Sequence, residues 1–189
     1  MPNDVGIFNL TLLHLGIDQI SGFADGTAEA DAGAAQYAIT RDSLLELADW
    51  AFAFEYGTAL TADAAVPTPT NGRWKYQFAL PADLRTIKRV HDADLPIPFL
   101  HVATDRIYAE QNTNVSLDYM RNVGESKFSN LFVKALSYQL AADVAMTLTG
   151  DRALLGDMQQ QAFFWIGVAK NREAFQQLSQ NVLPSHVAR

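Results

Sequence analysis

The amino-acid sequence predicts an α+β fold, mainly α. Helices from the two ends of the chain form a bundle, and a small antiparallel β-sheet is inserted between them. Three observations carry this. Apolar residues recur at helical spacing near the N-terminus and again from residue 126 to 178. Trp74, Tyr76, Phe78 and Leu80 alternate with Lys75, Gln77 and Ala79, the period-two signature of a half-buried strand. Between these regions lies a stretch rich in Ala, Thr, Pro and Gly.

The elements follow in order. Val5, Phe8, Leu12 and Leu15 share one helical face, and Gly16 follows as a stop that tolerates φ > 0. A second, alanine-rich helix is predicted over residues 27–54, where Ala38, Leu45 and Phe52 fall seven apart. No regular element fits Gly57 to Arg73, which holds Pro67 and Pro69. Strands are predicted at 74–80, around Ile87 and Val90, and over 99–102, 106–109 and 115–119. Together they make one sheet within about residues 70–123. Helix returns with Ser126 as N-cap, stops at Gly150, and restarts after Asp151 to reach about Leu178. The expected organisation is therefore a single domain. Its helical part is 1–56 and 124–178, its β lobe about 70–123, and its extended tail 179–189.

Composition narrows the function classes. The 189 residues are 49% hydrophobic and 19% charged, with 14 Lys and Arg and a net charge of −7. So acidic a chain is poorly suited to gripping nucleic acid, where phosphate contacts supply most of the affinity. Absence of cysteine excludes disulfides and thiolate metal sites. Met1-Pro2-Asn3-Asp4 lacks the basic start of a signal peptide. The nearest approach to a membrane span, Leu131 to Met146, carries Lys134, Gln139 and Asp143.

Motifs for chemistry are sparse. His14, His91, His101 and His186 show no metal-ligand spacing, and no glycine-rich phosphate loop or nucleophile elbow is present. Asp92, Asp94 and Asp105 read as a solvated turn or as ligands for a hard cation. Glu46 with Asp49, or Asp83 with Glu110 or Asp118, are the carboxylate pairs a glycan hydrolase acting on a host envelope would need. Arg41, Asp83 and Arg85 read as structural polar ties, and Trp50, Trp74 and Trp165 as core. No catalytic, cofactor or metal site is assigned. Residues 131–148 and the run Phe163-Phe164-Trp165-Ile166 are apolar nearly all round. Such helices need burial on most sides, more than one copy of this size supplies, so neighbouring copies are expected to cover some faces.

Leu15-Gly16 with Ile20, the run Ala30 to Tyr37, Arg41-Asp42, Leu44-Leu45, Trp50 and Phe52-Ala53 form one phrase. A second holds Trp74, Tyr76, Leu80-Pro81, Asp83 and Arg85, and a third Ala135-Leu136, Leu140-Ala141-Ala142 and Leu148-Thr149, before a long helix with Ala162 and Ala169. In this order and length the chain resembles the tail tubular protein A family, the head-to-tail adaptors or gatekeepers of short-tailed bacteriophages. One departure lies after Asp83. Many members carry a cysteine near there, and this chain has none. The resemblance implies a dodecameric ring in the virion tail, assembled in the host cytoplasm. It would bind the portal protein on one side and a tubular protein B-like nozzle on the other. DNA would pass through without specific binding, with no membrane contact and no catalysis. It also implies Trp50, Phe52, Trp74 and Tyr76 as packing anchors and Arg41, Asp83 and Arg85 as a polar clasp. Pro67, Pro69, Val182, Leu183 and Pro184 are the candidates for docking on portal or nozzle. The rival readings are the hydrolase and a different phage connector or tail-completion protein.

Overall fold

A computed structural model describes residues 3–65, 73–93, 95–111 and 113–181. Pro67, Pro69, Val182, Leu183 and Pro184 lie outside the described residues. The chain divides into two compact units. One comprises Met1–Phe52 and Gly124–Arg189, the other Ala53–Val123. Among the described residues the protein is mixed α and β, with four α-helices and two antiparallel sheets.

The helical unit is built from α1 (Asp4–Leu15), α2 (Ala28–Glu46), α3 (Asn130–Thr149) and α4 (Arg152–Asn181). Each start is capped by a side-chain oxygen, which satisfies helix N–H groups that have no partner within the helix. Asn3 accepts from Gly6 N, Thr27 from Ala30 N, and Ser129 from Phe132 N. Asp151 Oδ1 accepts from Ala153 N and Leu154 N. Gly16 takes a left-handed φ of 69°. Its N–H donates to Leu13 O while Ile17 N–H donates to Leu12 O, a Schellman closure.

Two helix boundaries differ from the sequence expectation. α2 ends at Glu46 rather than near Phe54. The chain turns there so that Trp50 is buried and its indole N–H donates to Leu44 O, one of the carbonyls freed at the helix end. A 3-10 turn at Ala51–Ala53 follows, with Ala51 N–H donating to the buried carboxylate of Glu173 on α4. The cap of α3 is Ser129, not Ser126, because Glu125–Lys127 forms a separate 3-10 turn.

Helix α3 lies against each of the other three helices. By length and composition it is long and apolar enough to cross a membrane, yet Phe132, Leu136, Leu140, Ala141 and Ala145 are fully buried within this unit. The alanines contribute by being small, since Ala30, Ala135, Ala162 and Ala169 are buried where helices approach closely. Gly33 is tighter still. A Cβ there would stand 2.6 Å from Phe23 and 2.8 Å from Phe8. Gly33→Ala is therefore expected to lower stability by about 1–3 kcal/mol through overpacking, despite alanine's higher helix propensity. Denaturant unfolding of the variant checks this, and a neutral or stabilising result would show that the two rings can yield.

The β unit contains β1 (Phe54–Ala59), β2 (Ala62–Ala65), β3 (Tyr76–Ala79), β4 (Leu84–Asp92), β5 (Leu95–Pro96), β6 (Phe99–Ala103), β7 (Arg106–Ala109) and β8 (Val115–Arg121). They form two sheets, ordered β1-β8-β4-β5 and β2-β3-β7-β6, where the sequence pointed to one. Phe78 and Ile107 from the second sheet share a core with Val90, Val115, Leu117 and Tyr119 from the first. Part of the segment expected to lack regular structure is strand. β1 pairs with β8 through a bulge between Glu55 and Thr58, and Gly57 sits in it at φ 61°. β2 is mostly alanine, a poor strand former, and is held by its pairing with β3.

Candidate interaction surface

The residues singled out from the sequence fall in different places. Trp50 is fully buried, 4.8 Å from Phe132 between ring centroids and edge-on to it. Phe52 packs on Trp50, Phe128 and Phe132. In the β unit Trp74 is half-buried beneath the Arg73 guanidinium, 4.6 Å from the ring centroid, and Tyr76 pairs with Ala109 in the sheet. Arg41 donates to Asp42 (2.9 Å) and Glu125 (3.1 Å), joining α2 to the turn before α3. Burial alone would lower the pKa of Arg41, but its two carboxylate partners raise it. Tyr37 donates to the same Glu125, and burial followed by that carboxylate pushes its phenol well up. Asp83 instead accepts from the Tyr119 hydroxyl at 3.1 Å in the β unit. Arg85 lies half-buried on β4. Arg41 and Asp83 thus have their partners within their own units.

The nominated carboxylates are engaged separately. Glu110 pairs with Arg73 at 2.6 Å, and Asp105 with Arg106 at 2.9 Å. Asp92 accepts from Gln111, while Asp94 is outside the described residues. Among the described residues no group of three or more His, Asp or Glu side chains converges on a metal-sized site. His14 stacks on Tyr138 with centroids 3.9 Å apart and hydrogen-bonds Ser137. Its pKa is lowered by burial and then by Lys134.

Asp118 alternates on β8 with the apolar Leu117 and Tyr119, yet it is buried as they are. Its carboxylate accepts from Gly57 N (2.8 Å) and Arg89 Nε (2.9 Å) and meets His91 Nε2 at 3.2 Å. The second nitrogen of His91 contacts the Ala93 carbonyl. Burial opposes the charge of Asp118, but the three donors outweigh it and hold its pKa below the usual carboxylate range. That is the opposite direction from the raised carboxyl a glycosidase acid requires. The cluster joins residues from three strands and has no local motif, so only β-pairing reveals it.

The helical unit leaves large apolar side chains in water. Leu10 and Leu13 (62% exposed) stand out from α1. On another side, Ile39 (62%) from α2, Leu47 (51%) just beyond it, and Phe163 (83%) and Phe164 (56%) from α4 are uncovered. Between α2 and α4 lies an open hollow of about 330 Å³. Ile39 and Ile166 form its walls, and Gln139 and Asp143 of α3 its floor. It adjoins a second hollow of about 510 Å³ lined by Leu47, Phe163, Ile166, Gly167 and Lys170.

Fold and surface together define an α+β protein whose helices carry uncovered apolar faces. Compared with models of known families and with curated proteins, the chain matches none.

Proposed function

We propose that this chain is a structural protein of a phage virion, a head-to-tail adaptor of the tail tubular protein A type. Copies would stand side by side in a ring between portal and tail nozzle, continuing the channel through which the genome leaves. The helices of both chain ends would form the bundle that makes the ring, with the β unit as an insertion. The reading gives the chain no enzymatic step, cofactor or membrane contact.

The observation that carries this is the pair of uncovered apolar faces on different helices, Leu10 with Leu13 on α1, and Ile39 of α2 with Leu47 and with Phe163 of α4. A cyclic ring joins unlike faces head to tail, so each subunit must offer two of them. A net charge of −7 also suits a channel wall that repels phosphate instead of holding it.

The test is assembly on a purified short-tailed-phage portal, followed by electron microscopy and mass measurement. A closed ring seated on the portal is expected. Absence of any portal complex would overturn the reading. The purified chain is also expected to leave duplex DNA unshifted in a gel at moderate salt, and salt-dependent retention at micromolar protein would count against the role.

A further inference from the structure

Helix α4 packs on α3 through one side only. Met158, Ala162, Ala169 and Glu173 are buried there, and Trp165 lies over Lys134 of α3 with Nζ 3.7 Å from its ring centroid. On the opposite side, Gly156, Phe163, Gly167 and Ala174 fall within about 20° of one line down the helix, at about 100° per residue. Both glycines disfavour helix relative to alanine. A Cβ built on either meets no atom within 4 Å, so no described neighbour calls for a glycine. The phenylalanine between them is the most exposed large apolar side chain among the described residues.

We infer that in the free protein this face is covered by α4 of a second copy, running antiparallel about a two-fold axis at the level of Trp165. In that arrangement Phe163 of each copy faces Gly167 of the other, and Gly156 faces Ala174. Each bulky side chain therefore meets a position with no side chain. Gln159 stands beside Lys170 of the other copy and Gln160 beside Asn171, a hydrogen-bonding rim free of like charges. A parallel pairing would set Phe163 on Phe163 and Lys170 on Lys170, opposing bulk with bulk and cation with cation. Area points the same way. At roughly 200 Å² for a phenylalanine, Phe163 and Phe164 leave about 280 Å² uncovered. Leu47, Ile39 and the polar rim extend the face toward the roughly 800 Å² per partner of a standard interface. A two-fold pair uses one face twice, whereas the adaptor ring joins two unlike faces. The pairing therefore concerns the unassembled chain and does not rest on the adaptor reading.

The absence of cysteine allows a direct test. Gly156→Cys and Ala174→Cys proteins are purified separately, then mixed and oxidised. A disulfide-linked dimer is expected in the mixture and in neither protein alone, because identical positions lie about 27 Å apart in the antiparallel pair. Light scattering is expected to give the mass of two chains for the native protein. Phe163→Asp should give one chain, with association weakened at least roughly tenfold and helix content unchanged, since the residue is solvent-exposed. Cross-linking of Gly156→Cys alone, no cross-link in the mixture, or a native mass of one chain would each overturn the pairing. A ring mass for the free chain would overturn it while supporting the adaptor role. A dimer that never assembles on a portal would leave the pairing standing and remove the role.

Discussion

Trp50→Ala is expected to lower the stability of the helical unit by about 3–5 kcal/mol, the range for deleting a large buried aromatic. The side chain is fully buried and packs on Phe132 and Phe52, two rings that also pack on each other. Its removal leaves a void between rings whose backbones belong to different segments, so the site has little freedom to collapse. Loss of the indole donor adds less. Leu44 O also accepts from Leu47 N–H at 3.2 Å and is not orphaned. The cost should therefore come mainly from lost packing. Trp50→Phe, which keeps a ring, is expected to cost less than half as much. Guanidinium unfolding of the three proteins, followed by helix content, measures the difference. A Trp50→Ala cost below about 1 kcal/mol would mean that the aromatic cluster does not anchor this unit.

Asp118→Asn carries the second large effect, about 2–4 kcal/mol at neutral pH. The substitution keeps the shape of the side chain but removes the charge that faces Arg89, and the amide brings a donor to a place already occupied by donors. The arginine is partly exposed, which keeps the cost below that of a fully dry ion pair. The pH dependence has a definite sign. The folded carboxyl has a depressed pKa, so its contribution is fully present above the unfolded value of about 3.9. It is lost as pH falls through the lower folded value. The gap in melting temperature between native protein and Asp118→Asn is thus expected to be wide at pH 7 and to narrow in acid, below about pH 4. A gap that stays constant or widens in acid would mean that the carboxylate contributes no charge-dependent stability.

These two sites differ in how far the sequence foretold them. Trp50 was visible as an aromatic beside an apolar helical pattern, and burial is the usual fate of such a residue. Its place was not visible. The alanine-rich pattern runs on to Phe54 without a stop residue, but α2 ends at Glu46, where the Trp50 indole, six residues beyond Leu44, takes up Leu44 O while its ring packs on Phe132 of α3. Asp118 stands on the face of β8 opposite Val115, Leu117 and Tyr119, where alternation alone gives no reason for burial. The bulge at Gly57 and the donors on β4 bury that face as well. The alanine-rich segment of β2 likewise becomes a strand only through its partner β3.

By itself the sequence determined the features whose physics is local: the Asp151 cap of α4, the glycine stops at Gly16 and Gly150, the alternation of β3, and the net charge of −7. Each depends on side chains within a few residues of the backbone they act on. The tertiary structure alone decided which apolar residues found partners. Phe8 and Phe163 look alike in a helical pattern, yet one is closed over by Phe23 and Gly33 and the other stands in water. Burial is a property of what the rest of the chain brings to a face, and no short stretch of sequence records that.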